Sequence, residues 1–145
     1  MPFFLGRYDY SMDARGRAPL PPRYRDAFAR GAVLSQGSPV PCLRLYTAQS
    51  FEQQAALYTS EPVTRRAGRV ARHGFFSRSF PVEPDRQGRI LVPGPLRQFA
   101  GLEGNVVVVG AGEWLEMWNA ERFEAAMAVV DEQLEDTLES MELRP

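Results

Sequence analysis

One five-residue pattern, Asp13-Ala14-Arg15-Gly16-Arg17, returns as Asp85-Arg86-Gln87-Gly88-Arg89, 72 positions further along the chain. The same shift, with no gap, aligns Pro21 with Pro93, Arg25 with Arg97, Leu43 with Leu115, Ala48 with Ala120, Phe51 with Phe123 and Ala56 with Ala128. Similar residues fall in step too: Tyr8 with Phe80, Leu20 with Val92, Leu45 with Met117 and Tyr46 with Trp118. Chance can write D-x-x-G-R twice, but it rarely keeps register for almost fifty residues. The chain therefore reads as a duplicated structural unit. Its 145 residues suffice for one ordinary domain or for two small units sharing a core.

Within the first copy, Tyr8, Tyr10 and Met12 alternate with polar residues, the period of a half-buried strand. Asp13 supplies a carboxylate at the first position of a turn, and Gly16 follows where positive φ is often needed. Residues 7–21 thus read as a hairpin whose returning strand, from Arg17, is cut short by Pro19, Pro21 and Pro22. Pro22–Arg30 reads as a short helix carrying Tyr24, Ala27 and Phe28 on one face and closed by Gly31. Strands over Ala32–Leu34 and Cys42–Tyr46 flank the turn-rich run 35–39. Thr47 caps a helix from Ala48 to about Tyr58 that buries Phe51, Ala55 and Tyr58.

A connecting helix is expected with Ser60 as its cap, Pro62 in its first turn and Gly74 near its end. Val63, Ala67, Val70 and Ala71 form one side; Arg65, Arg69 and Arg72 form another, with Arg66 adding a fourth charge. That basic face is solvated surface, or it meets phosphate or another subunit. The second copy repeats the plan: a strand through Phe80 and Val82, the turn Asp85–Arg89, a short helix Pro95–Ala100 closed by Gly101, and strands Val106–Val109 and Trp114–Trp118. Asn119 caps a longer helix whose Phe123, Met127, Val130, Leu134, Leu138 and Met141 make a continuous apolar stripe, a core or subunit contact. The units so bounded are 3–59, a basic connection 60–78, a second repeat 79–130 and an acidic helix end 131–145.

Charge is distributed unevenly. Residues 1–97 hold fifteen arginines against seven acids, and residues 98–145 hold two against eleven. No lysine occurs, so every cationic side chain other than the lone His73 is a guanidinium fork. A basic body with an acidic tail suits a nucleic-acid partner. Catalytic chemistry lacks its parts: one histidine and one cysteine leave no Cys–His dyad and no transition-metal set, and a phosphate-binding Gly-Lys loop is impossible without lysine. Gly110-Ala111-Gly112 lies between two strands and reads as a hairpin turn. Cys42 reads as a buried structural thiol, consistent with a reducing cytosol. No apolar run is long enough for a membrane span, and residues 1–5 are too short for a signal peptide. No enzyme, cofactor, metal or small-molecule substrate is expected.

What remains are the turn arginines, Arg15 and Arg17 in one copy, Arg86 and Arg89 in the other. An arginine at a stiff tip can meet guanine O6 and N7 with two parallel N–H bonds, or clamp a phosphate. Equally, each G-R arginine can pair with an aspartate across its own turn. Spacing does not separate these.

The doubled D-x-x-G-R, each followed by a short strand and P-x-x-x-R (Pro21 to Arg25, Pro93 to Arg97), resembles the bacterial MraZ family of transcriptional regulators. The likeness extends from Phe3-Phe4-Leu5-Gly6 to about Val130 and includes Leu43-Arg44-Leu45-Tyr46 and Leu115-Glu116-Met117-Trp118. It implies an α+β fold: a β-rich, barrel-like body of two tandem swapped-hairpin units of the AbrB type, with flanking helices. It also implies ring-shaped homo-oligomers, located in the cytoplasm at the nucleoid. These would bind double-stranded DNA at short direct repeats upstream of the division and cell-wall gene cluster that includes their own gene, as a repressor. Carried over by position, the DNA-facing residues are Arg15, Arg17 and Arg89, with Arg86 and Gln87 beside them. Asp13, Gly16, Asp85 and Gly88 shape the turns. Arg15 stands where the family often has lysine, and Gln87 is neutral at the matching position. The rival expectation is a protein-interaction module that binds no DNA, works through the acidic C-terminal helix and uses the arginines as internal struts.

Overall fold

The computed structural model describes residues 3–37 and 40–143. Ser38 and Pro39, part of the expected 35–39 turn, lie outside the described residues. Eight strands and four α-helices are present in that range: β1 (Arg7–Ser11), β2 (Arg17–Pro19), β3 (Ala32–Gln36), β4 (Leu43–Thr47), α1 (Ala48–Tyr58), α2 (Arg66–Phe76), β5 (Ser79–Val82), β6 (Arg89–Leu91), α3 (Gly94–Ala100), β7 (Asn105–Gly110), β8 (Leu115–Asn119) and α4 (Ala120–Ser140). A 3-10 helix, Pro22–Phe28, takes the place in the first copy that α3 holds in the second.

Six strands form one antiparallel sheet in the order β1-β7-β8-β4-β3-β5, and β2 pairs with β6 in a separate ribbon. Exchanging the two copies reverses that order onto itself, so the chain has an internal two-fold. Its axis passes between positions that match under the 72-residue shift, Ala18 opposite Ile90 in the ribbon and Arg44 opposite Glu116 in the sheet. The fold is α+β, as expected from the duplication.

Two expectations about the strands need correction. Residues 7–21 are not a hairpin in the pairing sense. The chain does reverse at Asp13–Arg17, but β1 pairs with β7 and β2 with β6, both from the other copy. Likewise β5 pairs with β3 of the first copy. Each arm thus finds its partner across the duplication, which leaves neither unit able to complete its sheet alone. Nor is the correspondence gapless: Tyr8 faces Val108 whereas its counterpart Phe80 faces Leu34, so β3 and β7 match at 74 positions. Two residues more before β7 are offset by a shorter connection, 111–114 against 37–42.

The core fills the space between sheet and ribbon. Leu34, Leu43, Leu45, Val106, Val108, Leu115 and Met117 point from the sheet at Ala18, Leu20, Ile90 and Val92 from the ribbon and its flanks, giving the β-rich body its barrel-like form. The helices α1, α2 and α4 lie on the outer face, where Cys42, Val107, Trp118 and Phe123 form a second buried cluster. Cys42 is fully buried, and burial pushes its thiol up to about 12, as suits a structural residue. Two of the three predicted caps, Thr47 and Asn119, are present, and the third, Ser60, is not. Thr47 accepts from the Ser50 N–H in a capping box, and Asn119 accepts from the Arg122 N–H.

The connecting helix begins at Arg66, not just after Ser60, and no side chain caps it. Its buried residues are Gly68 and Phe75, while Val63 and Val70 are exposed. Gly68 sets this geometry, since a Cβ there would lie 2.1 Å from the Pro62 carbonyl oxygen. Phe75 stacks on Tyr58 at 4.0 Å, pinning α2 to α1. The C-terminal stripe is buried only where it meets the sheet: Phe123 is covered and Met127 half-covered, but Val130, Leu134 and Met141 are exposed. Among the described residues, no helix is long and apolar enough to cross a membrane.

Candidate nucleic-acid interface

Each D-x-x-G-R turn is built around one carboxylate oxygen. Asp13 Oδ1 accepts the backbone N–H groups of Arg15 and Arg17, both at 2.9 Å, and Asp85 Oδ1 does the same for Gln87 and Arg89. The loop closes through Gly16 N–H to Asp13 O and Asp13 N–H to Arg17 O, with matching bonds at Gly88 and Arg89. The glycines sit at φ 82° and 73°, a region a side chain strains to enter. Held in the turn by these backbone N–H groups, first Arg17's for Asp13 and first Arg89's for Asp85, both carboxyl groups ionise below the ordinary carboxylate value.

The second oxygens join the turns. Arg17 Nε donates to Asp13 Oδ2 at 2.7 Å, and Arg89 Nε donates to Asp85 Oδ2 at 3.1 Å. Each guanidinium also reaches across: Arg89 Nη1 lies 3.4 Å from Asp13 Oδ2, and Arg17 Nη1 lies 3.8 Å from Asp85 Oδ2. Two carboxylates and two guanidiniums therefore alternate in a charge-neutral brace at the two-fold. Backbone bonds tie it down, with Val92 N–H donating to Gly16 O and Leu20 N–H to Gly88 O, both at 2.9 Å.

A third pair of arginines covers the turns from outside. A Cβ on Gly16 would fall 1.6 Å from Arg97 Nη1, and one on Gly88 would fall 2.1 Å from Arg25 Nε. Each P-x-x-x-R arginine thus lies on the glycine of the opposite copy. The Arg25 Nε is buried there with no hydrogen-bond partner. The shift that pairs Arg25 with Arg97 was the signal for this role. Only the swapped pairing of the arms shows which turn each arginine covers.

The predicted site residues divide accordingly. Arg15, Arg86 and Gln87 are exposed at the tips. Arg17 and Arg89 do not stand freely outward. Their side chains are about a quarter exposed (27% and 26%), and each spends its Nε and Nη1 on the brace. Their Nη2 groups make no hydrogen bond among the described residues. Asp13, Gly16, Asp85 and Gly88 are the turn formers that were expected. Six arginines and two carboxylates, with the brace neutral, leave the paired tips positive. Beside the first tip a groove of about 950 Å³ is lined in part by Asp13, Ala14, Gly16, Pro95 and Arg97.

Two interlocked repeats whose arms pair across the duplication, presenting twin arginine turns, define a tandem swapped-arm protein with a basic tip. The family model described as "MraZ protein, putative antitoxin-like" matches this chain twice, over residues 3–72 and 75–144. The transcriptional regulator MraZ of Micrococcus luteus is 36% identical over 138 residues, covering 95% of this chain and 96% of the relative. That of Thermomicrobium roseum is 39% identical over 122 residues, covering 84% and 85%. That of Dehalococcoides mccartyi is 32% identical over 139 residues, covering 96% and 98%. The chain belongs to the MraZ family.

Proposed function

We propose that this chain is a sequence-specific DNA-binding regulator of transcription, acting as a repressor at short direct repeats upstream of the division and cell-wall genes, its own among them. The observation that carries the reading is the twin tip. Two turns are fixed side by side by the Asp13–Arg17–Asp85–Arg89 brace, with Arg15, Arg86 and Gln87 exposed around it. Fixed donors lose little freedom on binding, so a rigid tip is the form in which a few arginines discriminate bases. In this reading Arg15 and Arg86 contact DNA directly, with Gln87 beside them. Arg17 and Arg89 hold the turns and offer their remaining Nη2 edges. Relatives that carry the name transcriptional regulator support the assignment.

One tip pair offers few contacts, and assembly of several chains into a ring would link them through effective concentration on successive repeats. The chain would then act in the cytoplasm, at the nucleoid. The test is fluorescence anisotropy with the DNA upstream of the chain's own gene against a shuffled duplex. Preference for the upstream DNA, lost in Arg15→Ala/Arg86→Ala, is expected. Equal binding to both duplexes would remove the sequence specificity, and no binding to either would return the chain to the protein-interaction reading.

A further inference from the structure

Strand alternation gives the β2–β6 ribbon two chemically opposite faces. Its central pair, Ala18 and Ile90, is fully buried against the core. Arg17 and Pro19 of β2, with Arg89 and Leu91 of β6, therefore stand on the outer face. The internal two-fold leaves the molecule through that face, because its axis runs from the Arg44–Glu116 pair in the sheet to the Ala18–Ile90 pair in the ribbon. The two strands are antiparallel and each begins at its own D-x-x-G-R turn, so a tip flanks each end of the ribbon. The outer face of the ribbon is the floor between the arginine tips.

Arg17 and Arg89 belong to the brace, and Pro19 is half-covered. Leu91 is different. It is 57% exposed, lies directly opposite Arg17 and stands outside both buried clusters. The next residue, Val92, donates its N–H to Gly16 O, which sets Leu91 beside the first tip and its exposed Arg15. A leucine in the open among guanidiniums gains nothing from water. A surface that covers it must be apolar at that point and negative around it. The major groove of duplex DNA meets both terms, with phosphates along its walls and the thymine C5-methyl as its apolar projection. The groove also admits a two-stranded ribbon.

We propose that Leu91 reads a thymine, packing on its C5-methyl while Arg15 contacts a neighbouring base. This rests on the proposed DNA-binding reading and adds to it a residue that recognises a base without a hydrogen bond. It also gives the contact a direction. Under the 72-residue shift the counterpart of Leu91 is Pro19, shorter and half-covered, and the counterpart of Arg15 is Gln87. The two turns match in their backbone bonds but differ in the side chains they carry. The chain therefore has one preferred orientation on the duplex, and it reads the methyl once.

Deoxyuridine tests it, since replacing thymine removes the methyl and leaves every hydrogen bond of the base pair in place. Anisotropy titrations compare the full-length wild type with Leu91→Ala on the duplex upstream of the chain's own gene. Thymines are changed to deoxyuridine position by position, in every repeat together. Wild type is expected to lose at least about fourfold in affinity at one position, the worth of one buried methyl. Leu91→Ala should bind the thymine duplex more weakly and be indifferent to deoxyuridine at that position. Each protein is compared with itself on two duplexes, so a folding defect in the variant cancels. A wild type that prefers the upstream DNA yet is blind to every deoxyuridine overturns the role of Leu91 and leaves the DNA-binding reading standing. So does a Leu91→Ala that keeps the wild-type loss, because another group then holds the methyl. If Leu91→Ala changes the sedimented mass of the protein without DNA, Leu91 is a contact between chains and the thymine role is wrong. A wild type with no preference for the upstream duplex over a shuffled one overturns the sequence-specific reading and this role together.

Discussion

Arginines one turn apart have different work here, and the difference is measurable. Arg15 is exposed and its side chain has no partner among the described residues, so Arg15→Ala should leave the melting temperature unchanged. It should weaken DNA binding by about tenfold or more, the worth of one good arginine–base or arginine–phosphate contact. Arg17→Ala removes two charge-assisted links and leaves Asp13 and Asp85 facing one another across a single guanidinium. The Asp13 link is a charge-assisted hydrogen bond, among the stronger kind, so a loss of several degrees in melting temperature should accompany any loss of binding. A variant Arg17→Ala that melts like wild type would show that the brace is idle. The aspartates carry a pH signature. Both ionise below the ordinary carboxylate value in the fold, so their contribution is complete above about pH 4. It is lost as the pH falls through their depressed native values. Asp13→Asn/Asp85→Asn should therefore flatten the acid limb of stability measured by denaturant titration and leave the neutral range parallel to wild type.

At the level of elements, what could be read from the chain was what local chemistry decides. Thr47 and Asn119 announce helices because a cap is satisfied within four residues. The D-x-x-G-R turns announce themselves because one aspartate bonds two nearby N–H groups. The destinations of the arms were not readable, since an alternating strand such as Tyr8–Met12 fits any partner with the same period. Its choice of β7 is made by the whole fold. The start of α2 was misplaced for a related reason: Ser60 and Pro62 resemble a cap and first turn, whereas the helix is set by Gly68 against the Pro62 carbonyl and by Phe75 on α1. The same non-locality hid the task of Arg97, which lies 81 positions from the glycine it covers. Their coupling can be measured. Gly16→Ala enforces an unfavourable φ and pushes Arg97 from its seat, for a cost of about 1–3 kcal/mol. Arg97→Ala should relieve the steric part but not the backbone part. The double variant should then be more stable than the sum of the single losses predicts. Strict additivity in a thermal double-mutant cycle would separate the two residues.

Considered whole, the molecule is a two-fold assembly written in one chain, and its axis shows how the copies diverged. Where identical copies would oppose identical residues, Arg44 now faces Glu116 and Ala18 faces Ile90. The first pair is opposite in charge: Arg44 lies over Trp114 at 4.5 Å, and Glu116 accepts the indole N–H groups of Trp114 and Trp118, both at 3.0 Å. The second pair joins a small residue to a large one. Such pairs favour one copy meeting the other over either meeting itself, which keeps the interlock within the chain. It also sets the two tips at one end of the axis, so in the proposed DNA contact each chain presents a single rigid unit. The salt dependence of binding then counts chains. For duplex DNA the logarithm of affinity falls with the logarithm of salt at about 0.9 per neutralised phosphate. If several tip pairs engage together, wild type on a multi-repeat duplex should show a multiple of the slope measured on a single-repeat duplex. Anisotropy titrations at a series of salt concentrations would read the two slopes directly. Equal slopes for wild type on both duplexes would mean that one tip pair carries all the binding, and that linkage between chains adds nothing.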